Sequence, residues 1–405
     1  MKTILDQKSA SLNLLRHEVE ESFGKKIVSS RDCIQLSEEI FHKTSFKVNS
    51  NTLRRFYGLV KAEYPPSGST LNILSKYCGF SSIDELLQYK LNRPASVTQV
   101  AASTVLHFLA SVFQQLPLEK KNESTFEMIT EQTIYFLQRN DQLIEKFQRS
   151  ASKIAAGRYY YFEQAVNIDA LNQYYAEGLR HYLSESVSTD SKVFAYSVLL
   201  LKAWLTDNAE DVQKHNASLG ALEEEDLSAL FSYKYYLIAK LCYTEATGEN
   251  TGRYLNLAAK AFYENDSVQN TEVHQDDYIF ALVLLLIGCY DEALKYANQS
   301  LTICNDDDAN MHRGLYHSLS LVKALALIVS GKKDMAEKVF ARIRPSQFHF
   351  LTKKLNGILY LKLEFEMGKA GVHYQSEVNR LIEDTGFKTL VRMRPAYRGL
   401  TDKNS

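Results

Sequence analysis

The stretch Ala281-Leu-Val-Leu-Leu-Leu-Ile-Gly288-Cys-Tyr290-Asp-Glu-Ala293-Leu-Lys-Tyr-Ala297-Asn-Gln-Ser300-Leu301 decides the fold. An unbroken apolar run ends at a glycine, and Ala293 and Ala297 then recur four apart, so the pattern reads helix, turn, helix. A second unit follows at Ala324-Leu-Ala-Leu-Ile-Val-Ser-Gly331-Lys-Lys-Asp-Met-Ala336, with Phe340 and Ile343 beyond it and Pro345 near its end. Weaker copies lie around Gly248, before Leu257 and Ala261, and around Asn208, after Leu199 to Trp204. The turns Asn208, Gly248, Gly288 and Gly331 are 40, 40 and 43 residues apart. A fixed period of this size marks stacked helix pairs whose matching residues serve packing.

These units resemble tetratricopeptide repeats, in which a G-x-Y-x-x-A turn joins two antiparallel helices. The usual repeat is about 34 residues, so longer helices are expected here. The resemblance implies an all-α chain with an α-solenoid of antiparallel helix pairs over residues 121–400.

Composition agrees with a helical reading. The 405 residues exceed the roughly 250 to 300 at which single cores stop growing. Only 17 Gly and 6 Pro accompany 25 Tyr and 20 Phe, which favours long helices packed through rings over a turn-rich β fold. Cys33, Cys78, Cys242, Cys289 and Cys304 include no C-x-x-C pair, which points to a reducing, cytoplasmic setting without disulfides or zinc. The opening residues, Met1 to Lys8, lack a signal peptide's apolar core, so secretion is not expected. Val97 to Leu116 carries polar Gln99, Ser103, His107, Ser111 and Gln114 on one face and Val97, Ala101, Val105, Phe108, Val112 and Leu116 on the other. That makes 96–120 an amphipathic connecting helix and not a membrane span.

Residues 1–95 form a separate head. They hold 14 Lys+Arg against 10 Asp+Glu, a net of +4, while the remainder is net −5. Five short helical pieces are expected, with Gly24 ending the first, Ser29 or Ser30 capping the second, Asn49 or Ser50 the third, and Ser69 the fourth. In the first two, Leu12, Leu15, Val19 and Phe23, then Ile34, Ile40 and Phe41, keep the apolar period. Gly79 and Ser81 or Ser82 precede the fifth, and Pro65-Pro66 forbids helix between the third and fourth. From Lys43 to Lys61 there are five cations, Lys43, Lys47, Arg54, Arg55 and Lys61, and no acid, the pattern that backbone phosphates attract. The third piece opens with Asn49, Ser50, Asn51 and Thr52, small polar side chains able to bond base edges; Leu53, Phe56 and Leu59 are expected on its buried side. The alternatives are a merely solvated basic face on a small helical bundle, or a head given over to protein docking.

The run Leu36-Ser-Glu-Glu-Ile, Thr44-Ser-Phe-Lys-Val, Asn49-Ser-Asn-Thr-Leu-Arg-Arg-Phe-Tyr-Gly58, Pro66 and Ser69 through Leu87 resembles the repressor-type (XRE, lambda-repressor-like) helix-turn-helix domain. The turn from Ile40 to Asn49 is longer than the family's usual one. By position, the resemblance implies Ser50, Asn51 and Arg55 at base edges, Lys43, Lys47, Arg54 and Lys61 near phosphate, and a two-fold dimer on double-stranded DNA. Joined to the repeats, it implies a DNA-binding regulator whose body oligomerises or senses a peptide or protein.

Gly157-Arg-Tyr-Tyr-Tyr-Phe-Glu163 and Leu171 to Tyr182 concentrate tyrosines on two expected helices. They either fill a seam or, with Arg158, Tyr160, Tyr174 and Tyr175, line a partner groove. Trp204 is expected in the core. No phosphate-binding loop, dinucleotide fingerprint, G-x-S-x-G elbow or H-E-x-x-H occurs. His312 and His317, five apart, splay around a helix, and the acid runs at 223–226 and 306–308 fit helix starts. No enzyme activity, cofactor or metal is therefore expected.

Overall fold

The computed structural model describes residues 2–44, 46–61, 66–80, 82–86, 99–118, 123–185, 188–222, 227–263, 273–303 and 312–392. The expected boundaries at 95/96, 120/121 and 400 lie outside these, as do Pro65, Ser81, Leu87, Cys304 and both acid runs. The described residues are helical, with no strand among them. The chain divides into two compact units, Met1–Ala101 and Ala102–Ser405.

In the first unit, α1 (Lys2–Phe23) ends at Gly24, which takes φ 79°, a left-handed conformation open to glycine at little cost. α2 (Ser30–Thr44) begins in a reciprocal capping box. The Asp32 carboxylate accepts from the Ser29 N–H at 2.8 Å, and the Asp32 N–H donates to the Ser29 hydroxyl at 3.2 Å. Asn49 caps α3 (Ser50–Phe56), and Ser67, not the expected Ser69, caps α4 (Gly68–Tyr77) by accepting from the Thr70 N–H. The helix starts two residues earlier than the periodicity suggested. A further helical turn occupies 83–86.

One core holds these helices together: Leu15, Val19, Leu36, Ile40, Leu53 and Phe56 are all buried in it. Cys33 and Cys78 pack there as small apolar groups. Three expectations fail. Ile34 and Phe41 are each 50% exposed, because α2 turns Cys33, Leu36, Ser37 and Ile40 inward instead. Leu59 is also exposed, because the chain reverses at Gly58 (φ 74°) before α3 can carry it back to the core.

α5 (Gln99–Gln115), which belongs to the second unit from Ala102 onward, buries Leu109 and Phe113, whereas Phe108, expected on the apolar face, is 64% exposed. Phe113 meets Phe147 edge-on at 5.6 Å; Phe147 lies on α7 (Ile144–Ala151), which follows α6 (Glu123–Arg139). A π-helical stretch, Gly157–Glu163, and α8 (Tyr174–Glu185) lead into five helix pairs. These are α9 (Thr189–Leu205) with α10 (Ala209–Gly220), α11 (Tyr233–Thr247) with α12 (Gly252–Tyr263), α13 (Gln275–Leu286) with α14 (Tyr290–Ile303), α15 (His312–Val329) with α16 (Lys333–Phe340), and α17 (Lys353–Glu366) with α18 (Tyr374–Thr385).

The first helices of the pairs form a row in which each touches the next, and each second helix packs on its own partner. Row helices are apolar on most sides, as α13 shows with every residue from Asp277 to Leu285 buried. The turns share one construction. Asp207, Gly248, Gly288, Gly331 and Gly368 all take positive φ, and these positions are 41, 40, 43 and 37 residues apart. After four of them the next N–H reaches back to close a Schellman turn: Asn208 to Ala203 O, Cys289 to Leu284 O, Lys332 to Leu327 O and Lys369 to Glu364 O. Asn208 is therefore the cap of α10 and Asp207 the turning residue. The fifth pair, around Gly368, adds a turn beyond the four that the sequence reading placed. Trp204 is buried as expected, and its indole N–H donates to Glu245 at 2.6 Å. No helix among the described residues is long and apolar enough to cross a membrane.

Candidate nucleic-acid interface

The features that present α3 come from its neighbours. Leu53 and Phe56 anchor one side in the core. From α1, the Arg16 guanidinium stacks over the Phe56 ring at 5.3 Å and its Nε donates to the Phe56 carbonyl at 2.7 Å. A cation at the C-terminal carbonyls of a helix also meets the negative end of its dipole. The Ser37 hydroxyl donates to the Val48 carbonyl and fixes the turn ahead of α3. Arg16 and Ser37 are positioning residues that the sequence did not reveal, since Arg16 lies 40 residues from its partner.

The other side of α3 faces solvent. Asn51 and Arg55 are exposed, Ser50 and Arg54 half-buried, and Lys43, Lys47 and Lys61 exposed. Asn49 is partly committed, because its side chain accepts from the Asn51 N–H at 2.8 Å as the helix cap. Arg54 Nη1 donates to Asn51 Oδ1 at 3.1 Å, while its Nε is buried and finds no hydrogen-bond partner among the described residues. Lys43 Nζ lies 4.8 Å over the Tyr77 ring, and Lys76 Nζ sits at the same distance over Phe46. The eight candidates thus lie on the last turn of α2, on α3 and its cap, and on the flanking turns, with cations on both sides of α3. Such a surface can hydrogen-bond base edges and neutralise phosphates.

The capping box that starts α2 carries its own electrostatics. Burial works to raise the Asp32 pKa, but the Lys25 ammonium at 2.6 Å, the Ser29 hydroxyl and the Val28 N–H outweigh it, so the carboxyl titrates below the ordinary aspartate range. A depressed acid stabilises the fold above its unfolded pKa, and that contribution is lost as the pH falls through its folded value. The head is therefore expected to loosen below about pH 4. Asp32→Asn should cost about 1–2 kcal/mol at neutral pH and flatten this acid dependence. Amide exchange of α2 reads both effects, and an Asp32→Asn head with unchanged exchange at neutral pH would contradict them.

The tyrosine-rich candidates in the body form no open groove. Tyr160 and Tyr175 are each 1% exposed; their hydroxyls donate to the Pro117 carbonyl at 2.8 Å and the Phe162 carbonyl at 2.6 Å. Tyr174 is half-buried and its hydroxyl accepts from Asn167 Nδ2 at 2.8 Å, while Arg158 Nη1 donates to the Ser152 carbonyl at 2.9 Å. The Tyr160 ring meets Phe126 edge-on at 5.6 Å, and the Tyr175 ring packs on Phe162 at 6.1 Å, within a chain of ring contacts from Phe147 through Tyr161, Phe162 and Tyr182 to Phe194; these two tyrosines are therefore core. His317 is fully buried, with Nε2 2.6 Å from Gln347 Oε1. Among the described residues, no three His, Cys, Asp or Glu side chains gather as metal ligands would. Compared with models of known families, with curated proteins and with solved structures, the chain matches none.

Proposed function

We propose that this protein is a DNA-binding regulator: a repressor-type helix-turn-helix head reads duplex DNA through α3, and a tetratricopeptide-like body oligomerises or senses a peptide or protein. The observation that supports this most is one of placement. α3 keeps Leu53 and Phe56 in the core and leaves Asn51 and Arg55 in solvent, and from Lys43 to Lys61 the chain carries five cations and no carboxylate. Ser50, Asn51 and Arg55 are assigned to base edges; Lys43, Lys47, Arg54 and Lys61 are assigned to phosphates.

A protein-docking scaffold is the second reading, favoured by Ile34, Phe41 and Phe46, which are half-exposed on the head. Salt distinguishes the two. Four phosphate contacts release condensed counterions, so the logarithm of duplex affinity should fall with the logarithm of salt at a slope of about −3 to −4 per head. A flat response would favour apolar docking through those three side chains.

A further inference from the structure

Between the π-helical stretch and α8 the chain does what loops in helical proteins rarely do: it runs through the interior without forming a helix. Every residue from Ala165 to Leu171 is buried. Its ties reach far along the sequence. Gln275 Nε2, on the third pair, donates to the Val166 carbonyl at 2.6 Å. The Asp169 N–H donates to the Leu351 carbonyl at 3.0 Å, and the Asp169 carboxylate accepts from the Lys354 and Leu355 N–H groups, at 2.6 and 3.0 Å, at the start of α17 in the fifth pair. Gln173 Nε2 donates to the Asp384 carbonyl at the end of α18 at 2.8 Å. There a Cβ on Gly386 would fall 2.2 Å from Asn172 Nδ2.

We infer that residues 164–173 are a releasable strap, which latches the middle and last helix pairs of the body together and whose detachment opens the row while the pairs themselves stay folded. Two features set the strap apart from ordinary core. The ties named here are polar, and two of them carry a cost: burial pushes the Asp169 carboxyl up to about 6 despite the two N–H groups and Lys354, with Asp384 adding repulsion, and Gln275 Oε1 is buried with no hydrogen-bond partner among the described residues. Buried polar contacts of this kind fix one geometry at less net stability than apolar packing of the same volume. The strap also follows seven π-helical residues, a conformation found mostly where a helix has a function beyond packing. Meanwhile four of the five pairs are closed locally by their Schellman turns, which owe nothing to the strap.

Hydrogen exchange followed by mass spectrometry on the full chain tests this. In Asp169→Ala, the amides of 165–173 and the first turn of α17 should exchange roughly tenfold to hundredfold faster. Those of α9, α11 and α13 should keep their protection. Acceleration spread evenly from α9 to α18, or confined to the Lys354 and Leu355 amides, would overturn the strap. Should Asp169→Ala fail to fold, Gln173→Ala decides: Gln173 is exposed, so the fold tolerates its loss, and the strap amides should still accelerate severalfold relative to α13. No acceleration there would equally overturn the strap.

Discussion

Replacing Arg54 and Arg55 together by alanine is expected to lower duplex affinity at least about 100-fold, because one well-placed base contact carries about 1–3 kcal/mol and a phosphate contact adds to it. The helical content of the chain should not change. Arg55 is exposed, and Arg54, half-buried, makes one hydrogen bond to the neighbouring Asn51, so the stability cost should stay near 1 kcal/mol. Titration of a labelled duplex beside far-UV circular dichroism separates the two effects. Arg55→Ala alone should account for most of the lost sequence preference, and Arg54→Ala for more of the lost salt dependence.

The largest stability effect is expected at Asn356. This side chain is wholly buried where α13, α15 and α17 meet. Its Oδ1 accepts from the Tyr278 hydroxyl at 2.5 Å, and its Nδ2 donates to the Ser318 hydroxyl at 2.8 Å and the Thr352 hydroxyl at 3.0 Å. Asn356→Ala removes three bonds at once, strands the buried Tyr278 hydroxyl and leaves a cavity. A cost of about 3–5 kcal/mol follows. Tyr278→Phe, which strands only one acceptor, should cost about 1 kcal/mol. The single tryptophan, Trp204, lies in the body, so its fluorescence reports unfolding of this unit specifically. A loss under 1 kcal/mol in Asn356→Ala would show that the network does not hold the third, fourth and fifth pairs together.

How much of this was legible in the sequence depended on how local the signal was. Gly288 and Gly331 sit between two apolar runs and announced their turns, because a residue at positive φ is most cheaply a glycine. Asp207 holds the same position without being glycine, so the reading settled on Asn208, the polar cap beside it. Caps were readable to within two residues: Ser29 and Asn49 as expected, Ser67 in place of Ser69. Helix faces were less so. Phe41 and Phe108 fit an apolar period but lie outside the cores, since periodicity gives the stripe without saying which edge of it meets a partner.

The long-range ties were not legible at all. Arg16 reaches Phe56 across 40 residues, and Asp169 reaches Leu355 across 186. The tyrosine cluster shows the same limit from the other side: an aromatic-rich segment can be a groove or a seam, and only burial of Tyr160 and Tyr175 distinguishes them.

Under the proposed function the head reads a DNA sequence through α3. Selection of the 405-residue chain against a random duplex library at moderate salt, followed by sequencing, tests this, with the Arg54→Ala, Arg55→Ala double variant in parallel. A sequence-reading head gives one enriched motif for the native chain and loses it in the variant. A folded native chain that enriches no motif at any salt would contradict it.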